Sequence, residues 1–392
     1  MVAWLTRAFG PAHLELAEEV VQDALVKALL QWPHTGVPDN PAAWLMRVAR
    51  NGALDVLRRH ASFSGRVGAI ESELARAPGA PSSPSGAITD DELRMVFMCC
   101  HPSLAPAARV ALSLQVVGGF SAREIARALL GPEPAVAQRL VRAKRALRAA
   151  NVRLEMPPDA DLPARLDSVL EVIYLMFNEG YATHGGDDLI RDDLCREAIR
   201  LGRALAASPR TATPAAHALV ALMAFQAARL DTRVNEHGDL VRLEDQDRSK
   251  WDARLIALGY HHLAASAEGR RMTAYHAQAA IAALHASAPS AAATPWRDIL
   301  DGYDDLMAVA PSSIAALNRA VALSKVQGAA AGLAALAAIE HAPELATYHL
   351  LWSVKAQLLD EAGDAAAAQA CYERALTCAC NEPERRFLLS RL

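Results

Sequence analysis

The chain has 392 residues, of which 52% are hydrophobic and 21% are charged, so it is too apolar to be disordered and long enough for two or three domains. Aromatic residues make up only 5%, whereas alanine, the best helix former and a poor strand former, is abundant, which favours an all-α fold. The net charge of −4 by itself indicates no polyanionic partner.

The charge is unevenly distributed along the chain. Residues 1–150 carry 17 Lys and Arg against 13 Asp and Glu, a net charge of +4, whereas residues 151–392 carry 23 against 31, a net charge of −8. A basic front half followed by an acidic remainder predicts a nucleic-acid-binding module joined to a second part of different function.

The sequence also excludes several classes of protein. Its first residues lack the basic and apolar regions of a secretion signal, and no apolar run approaches the roughly 18 residues that a membrane span requires. The six cysteines show no C-x-x-C spacing, which makes structural zinc improbable. We therefore expect a cytoplasmic protein with reduced thiols, without a membrane span, a bound metal or a cofactor.

Two segments rich in Ser, Gly and Pro divide the chain. Residues 62–86 contain 13 such residues in 25, and the second segment includes Pro157 and Pro158. Such segments bury too little surface to offset their ordering entropy. The predicted organisation is a domain at 1–61, a flexible linker at 62–87, a domain at 88–150, a linker at 151–163 and a C-terminal part at 164–392.

The first predicted domain consists of helices. An amphipathic pattern runs over residues 14–30 and is closed by Pro33 and Gly36, and a polar loop over residues 34–40 leads to Pro41 at the start of a new helix. One side of that helix is apolar, and the other carries Arg47, Arg50, Asn51, Asp55 and Arg58.

The second predicted domain ends in a helix-turn-helix. Ser121 and Glu124 have the spacing of a capping box at the start of a short helix. Gly131 and Pro132 end that helix, and Pro134 is suited to the first turn of the next. The next helix has an apolar face of Val136, Leu140, Ala143 and Leu147 and a basic outer face, as in a recognition helix.

The C-terminal part shows a weak repeat. Gly328 and Gly363 are 35 residues apart and Tyr303 and Tyr372 are 69 apart, which is close to one and two periods of the tetratricopeptide repeat. We expect a TPR-like stack of helix pairs.

Several segments together resemble bacterial extracytoplasmic-function (ECF) sigma factors of RNA polymerase. Residues 16–24 (LAEEVVQDA), 40–51 (NPAAWLMRVARN) and 55–59 (DVLRR) are similar to region two, and residues 120–129 (FSAREIARAL) and 136–145 (VAQRLVRAKR) are similar to region four. Residues 177–181 (FNEGY), 243–248 (LEDQDR), 278–281 (QAAI) and 317–320 (LNRA) resemble the branch of the family with a long helical extension. The resemblance implies a subunit that binds polymerase and promoter DNA rather than an enzyme.

The resemblance also assigns roles to residues. It implies contacts with core polymerase at its β′ clamp helices and β flap, and the contact with the clamp helices is expected from Glu19, Gln22, Asp23 and Val26. An ordinary solvated acidic helix face is the alternative interpretation of these residues.

At the −10 element, the resemblance implies strand opening by cationic and stacking side chains. The candidates are Trp44, Arg47, Arg50, Asn51, Arg58 and Arg59, although the position of Trp44 beside Leu45 fits a core residue equally well. At the −35 element, the candidates are Gln138, Arg139 and Arg142 for bases and Arg123, Lys144 and Arg145 for phosphates. Some of these arginines are open to the alternative of merely covering a helix face.

The sequence departs from the family pattern at two places. The first helix of region two is expected to be short, and Pro132 with Pro134 is expected to stiffen the turn and shift the start of the recognition helix by a residue.

The role of the extension follows least directly from the sequence. Its negative charge suggests an intramolecular contact with the sigma module, whose activity it would modulate, and the acidic run 244–247 is either part of such a bridge or simply solvated. The alternative function is a DNA-binding regulator with a TPR-like sensory domain that does not contact polymerase.

Overall fold

The computed structural model describes residues 1–61, 90–128, 132–182, 190–269, 271–378 and 380–392. In these ranges the chain is helical and contains no β-strand, only an isolated bridge between Val234 and Leu240. The predicted all-α fold class is confirmed. The predicted linker at 62–87 lies outside the described residues.

The helices are numbered here in chain order. Their bounds are α1 Val2–Phe9, α2 Leu14–Thr35, α3 Pro41–Ala61, α4 Asp90–Cys99, α5 Pro106–Val116, α6 Ala122–Ala128, α7 Glu133–Ala149, α8 Leu162–Tyr181, α9 Asp192–Ala207, α10 Pro214–Ala227, α11 Ala253–Ser266, α12 Ala274–Ser287, α13 Trp296–Val309, α14 Ser313–Gln327, α15 Ala329–Ala337, α16 His349–Glu361, α17 Ala365–Leu376 and α18 Glu382–Leu389. None of these helices is long and apolar enough to cross a bilayer.

The chain divides into two compact units. The N-terminal unit comprises residues 1–126 and 131–172, and the C-terminal unit comprises residues 127–130 and 173–392. The boundary at residue 172 differs from the linker expected at 151–163, because the first half of α8 belongs to the N-terminal unit. The expected domain boundaries remain a prediction.

Small residues allow α2 and α3 to pack closely in the N-terminal unit. Ala17, Ala24, Ala49 and Ala53 have no exposed surface. Gly52 faces Val20, and a Cβ added at Gly52 would lie 3.6 Å from the Val20 Cγ1, in ordinary van der Waals contact. Around these small residues, larger apolar side chains from α1, α2 and α3 complete the core of this part of the unit.

Helix α2 is longer than its sequence pattern predicts. The polar loop was expected to begin at His34, but the helix continues through Pro33 to Thr35. Proline removes one backbone hydrogen bond and clashes with the preceding turn, a cost that is easiest to accommodate at the end of a helix. Gly36 then ends α2 with a φ of +80°, and its N–H donates to the carbonyl of Trp32 at 3.0 Å.

The second part of the N-terminal unit is built around a dense apolar core. Phe97, Leu112 and Leu114 are fully buried. The four apolar residues predicted to form the inner face of α7 are all buried, as expected: Val136, Leu140, Ala143 and Leu147. The start of α8 is fastened to this core because the Arg165 guanidinium donates to the carbonyl of Phe97 at 2.5 Å and Arg109 donates to the Ser168 hydroxyl at 3.1 Å.

The C-terminal unit is formed around α10. This helix is buried on nearly all sides and packs against both α11 and α12. A hydroxyl–amide hydrogen bond of 2.8 Å joins Tyr174 on α8 to Gln278 on α12. Further along the chain, α13, α14 and α15 pack consecutively, as do α16 and α17.

The two glycines that suggested a repeat have equivalent positions. Gly328 lies between α14 and α15 with a φ of +90°, and Gly363 lies between α16 and α17 with a φ of +87°. Glycine is favoured at both turns because other residues rarely adopt a positive φ. This equivalence agrees with helix-pair units in this part of the chain, although assignment to TPR-like repeats remains a prediction.

Candidate nucleic-acid interface

The four residues predicted to contact a protein partner lie together on α2. Glu19, Gln22, Asp23 and Val26 are all exposed, on the side of the helix opposite its buried alanines and valines. The positions of Glu19, Asp23 and Val26 at intervals of four and three residues place them on one stripe. They define the outer face of α2.

The outer face of α2 also contains apolar residues that the sequence reasoning missed. Leu29 and Leu30 are 76% and 67% exposed, and Leu25 is also exposed. Their positions opposite the small buried residues of the same helix could have indicated this surface from the sequence. A contiguous exposed apolar surface beside polar residues is typical of a protein interface.

The predicted DNA-contacting residues of α3 differ in solvent exposure. Arg47 and Asn51 are exposed, whereas Arg50 is half-buried and its Nε has no hydrogen-bond partner among the described residues. The side chains of Arg58 and Arg59 lie outside the described residues. The exposed pair combines a cation with an amide that both donates and accepts hydrogen bonds.

Trp44 occupies a position between core and surface. Its half-buried ring meets that of Trp32 edge to face, with centroids 5.5 Å apart and an interplanar angle of 62°. Asn40 fixes the start of α3 because its side-chain oxygen accepts the N–H of Ala43 at 2.9 Å. The Trp44 ring is therefore held against α2 while part of its surface remains accessible for stacking.

The helix-turn-helix begins with the predicted capping box. The Ser121 N–H donates to the Glu124 carboxylate at 2.8 Å, and the Glu124 N–H donates to the Ser121 hydroxyl at 3.2 Å. Helix α7 begins at Glu133, one residue before Pro134. The turn at 129–131 lies outside the described residues.

The outer face of α7 carries the predicted recognition residues. Gln138, Arg142 and Arg145 are exposed on the side opposite the buried stripe, and Arg139 is half-buried. The Arg142 guanidinium donates to the Gln138 side-chain oxygen at 2.9 Å, so these two side chains are oriented together. Arg123 is exposed on α6.

Lys144 is engaged elsewhere. Its ammonium lies 2.5 Å from the Glu18 carboxylate on α2, and the two side chains are only 11% and 19% exposed. Burial raises the pKa of Glu18, although the positive charge of Lys144 opposes this effect. A second ion pair links Arg148 to Glu15 at 3.0 Å, with both side chains about half exposed. One side of α7 is thus joined to α2, while the face that carries the predicted recognition residues remains exposed.

The described helices thus carry a predicted DNA-contacting surface on α3 and α7 and a separate apolar and acidic surface on α2. Family models match three parts of the chain: Sigma-70 region 2 at residues 2–63, Sigma-70 region 4 at residues 94–147, and a family of unknown function, DUF6596, at residues 165–267.

Two kinds of relative were found. The uncharacterized protein R00370 of Rhizobium meliloti (strain 1021) is 39% identical over 390 residues, which cover 97% of this chain and 90% of that protein. The ECF RNA polymerase sigma-E factors of Escherichia coli (strain K12) and Salmonella typhimurium (strain LT2) are each 31% identical over 134 residues, which cover 33% of this chain and 70% of those proteins. No solved structure matches the chain significantly.

The chain belongs to the ECF family of RNA polymerase sigma factors and carries a C-terminal helical extension, which confirms the resemblance seen in the sequence. Sigma factor families are not enzymes, and their domains imply core polymerase and promoter DNA as partners.

The two ion pairs between α7 and α2 differ in burial, and this difference predicts unequal contributions to stability. Lys144→Met leaves the Glu18 carboxylate without its counter-charge and is expected to lower the free energy of unfolding by about 1–3 kcal/mol at neutral pH. Arg148→Met, its matched control, breaks an exposed pair and should cost less than about 1 kcal/mol.

The pH dependence of this loss has a definite sign. Because the folded-state pKa of Glu18 is raised, its protonated form favours folding, and the cost of the charged form develops as pH rises through the folded pKa. Calorimetric unfolding should therefore show the Lys144→Met deficit shrinking as pH falls through the raised folded-state pKa of Glu18, that is, at pH values above about 4.3, the ordinary pKa of glutamate. Equal losses in the two variants at neutral pH would contradict the assignment.

Proposed function

We propose that this sigma factor binds core RNA polymerase through the outer face of α2 and reads promoter DNA through α3 and α7. The observation that carries the proposal is the combination, on one helix of region two, of exposed acidic and polar residues with the exposed side chains of Val26, Leu29 and Leu30. Exposing several neighbouring apolar side chains to water costs free energy unless a partner covers them. The β′ clamp helices are the expected partner.

The proposed −10 contacts require no rearrangement of the exposed side chains. Arg47 is available to follow phosphates, and Asn51 is available to bond a base edge. The Trp44 ring offers a stacking surface that is braced by Trp32. Arg50 is proposed for the same surface, although it is less accessible. Arg58 and Arg59 remain proposed contacts on the family pattern alone.

The proposed −35 contacts separate into two groups. Gln138, Arg139 and Arg142 are assigned to bases, and Arg123 and Arg145 to phosphates. Lys144 belongs to the phosphate group only after its ion pair with Glu18 breaks, because its ammonium is otherwise occupied. Promoter binding through Lys144 therefore competes with the contact between α7 and α2.

The extension is proposed to modulate the sigma module. The support is electrostatic, since residues 151–392 carry a net charge of −8 and residues 1–150 a net charge of +4. A cytoplasmic location agrees with the function of a sigma factor and belongs to the same proposal.

Core binding is tested with two valines of equal exposure. Val26 on α2 is 52% exposed and Val141 on α7 is 51% exposed, so Val26→Asp and Val141→Asp should both fold. Val26→Asp is expected to weaken binding to core RNA polymerase by at least about tenfold, because it buries a charge in an apolar contact. Fluorescence anisotropy of the labelled protein with core enzyme should show the loss for Val26→Asp alone. Equal affinities for the two variants would contradict the proposed surface.

Promoter reading is tested with Arg142→Ala. Loss of a base-contacting guanidinium is expected to cost the holoenzyme about 1–3 kcal/mol at the matching base pair while leaving core binding unchanged. The probes are the fragments that wild-type holoenzyme selects from a genomic library. Arg153→Ala is the control, because Arg153 is exposed beyond the end of α7 and pairs weakly with Glu155 at 3.8 Å. Unchanged promoter affinity and base preference with Arg142→Ala would remove this residue from the interface.

Modulation by the extension is tested by comparing the full chain with a chain that ends at Val172. A chain that ended in the predicted linker at 151–163 would lack Arg165 and Ser168, whose hydrogen bonds fasten α8 to the core of the N-terminal unit. After calorimetry has established that the shorter chain unfolds cooperatively, transcription with core polymerase at several salt concentrations should differ between the two chains. Identical transcription at every salt concentration would contradict modulation.

A further inference from the structure

The C-terminal unit contains a cavity that is lined by none of the proposed polymerase or DNA contacts. Its volume is about 410 Å³, within the range of roughly 300–1,000 Å³ that is typical of small-molecule sites. One wall is the acidic segment, residues 243–248, and α12, α13, α14 and α16 each contribute lining side chains. The acidic segment is thus part of a cavity wall within its own unit.

Most charges at this cavity are paired. Glu244 lies 2.7 Å from Arg242 and 3.5 Å from Lys325, and Lys325 also lies 3.4 Å from Glu361. Asp245 lies 2.7 Å from Arg242. These cations already have carboxylate partners, so they do not by themselves require a ligand.

Arg248 is different. Its Nη1 donates to the carbonyls of His285 and Ala288, both at 2.8 Å, and its Nη2 donates to the Thr294 hydroxyl at 2.9 Å. All three acceptors are neutral. Among the described residues Arg248 forms no ion pair, and burial lowers its pKa. A partly buried guanidinium in the cavity wall therefore lacks a counter-charge.

Two polar atoms at the same wall also lack partners. The Nε of Arg248 and the Nδ1 of His285 are buried without a hydrogen bond to any described residue. Burial and the charges of Arg229 and Arg248 lower the pKa of His285 to about 4, so its imidazole is neutral at physiological pH. Buried polar groups are normally satisfied, so the two unsatisfied atoms need an explanation, and a bound water, ion or ligand at this wall supplies one.

The local structure holds Arg248 in place. Gln246 is buried, donates to the carbonyl of Val241 at 3.1 Å and accepts the Thr232 hydroxyl at 3.3 Å. The Arg248 guanidinium lies over the Trp251 ring, 5.1 Å from its centroid. The position of this cation is thus fixed before any ligand arrives, which lowers the entropic cost of binding.

The rest of the lining is suited to an apolar group. Trp296, Leu243 and Val321 line the cavity, and the Trp296 ring meets the His285 imidazole edge to face at 5.5 Å. An uncompensated cation beside aromatic and aliphatic surface matches a ligand with one anionic group and a flat hydrocarbon body.

We propose that this cavity binds a small organic anion, whose carboxylate, sulfonate or phosphate group pairs with Arg248 and whose apolar body packs on Trp296 and Val321. The site lies within the C-terminal unit and is independent of how that unit acts on the sigma module.

The test uses the full-length protein and two fluorescent probes of similar shape. These are 8-anilinonaphthalene-1-sulfonate, which is anionic, and N-phenyl-1-naphthylamine, which lacks the sulfonate. Titration is expected to show saturable binding of the anionic probe at one site, about tenfold tighter than the neutral probe, because a charge-assisted hydrogen bond is lost in the latter. Added salt should reduce this preference.

Variants locate the binding. Arg248→Met should weaken the anionic probe by about tenfold with little effect on the neutral one. Val321→Phe fills the cavity from α14 and should weaken both probes. The matched control is Arg374→Met, since Arg374 also lies over a tryptophan ring, that of Trp352 at 5.6 Å, but does not line the cavity.

Two results would overturn the proposed anion site. Absence of saturable binding, or wild-type binding by both Arg248→Met and Val321→Phe, would overturn it. If Arg248→Met does not show the wild-type unfolding transition, the comparison of the two probes on wild-type protein and Val321→Phe decides the question.

Discussion

The two-sided character of α2 is the constraint on which the N-terminal unit depends. One side must be small enough for α3 to approach, and this is why Ala17, Ala24 and Ala28 are buried there. The opposite side remains in water with Leu29 and Leu30 exposed, an arrangement that stability alone does not favour. The same helix also supplies Glu15 and Glu18 to α7. Core packing, the proposed polymerase surface and the contact with the recognition helix therefore all lie on one helix.

The position of Glu18 links these functions. It is adjacent to Glu19 of the proposed polymerase surface, and it holds Lys144, a proposed phosphate contact, at 2.5 Å. Binding of polymerase at Glu19 would thus take place next to the residue that pairs with Lys144, and binding of phosphate at Lys144 would break that pair. The partial burial of this pair makes its loss more costly than that of the exposed pair between Glu15 and Arg148.

Local sequence patterns predicted the local structure well. The capping box of Ser121 and Glu124 and the buried stripe of α7 were both predicted, because each depends on residues within a few turns of one helix. The extension of α2 through Pro33 was not, since the pattern does not reveal that a proline is tolerated in the last turn.

Long-range contacts were the main omission. Lys144 and Glu18 are 126 residues apart, and Arg248 meets Thr294 across 46 residues, so no periodicity indicates either contact. The acidic run looked like a bridge to another part of the protein or a solvated segment. Its glutamate and aspartates are exposed and several pair locally, while Gln246 and Arg248 form the support and wall of a cavity. The sequence shows which of these residues are charged, but only the fold shows which groups surround each charge.

Promoter-specific initiation is the activity on which the proposed roles of α2, α3 and α7 depend. The most direct measurement is in vitro transcription in which the full-length protein is added to bacterial core RNA polymerase with a library of native promoter fragments. We expect discrete transcripts that appear only when this protein is present, with shared −35 and −10 sequences upstream of their starts. Absence of such transcripts from both the full chain and the chain ending at Val172, with no co-migration with core enzyme, would contradict promoter-specific initiation by this chain and favour a DNA-binding regulator that does not contact polymerase.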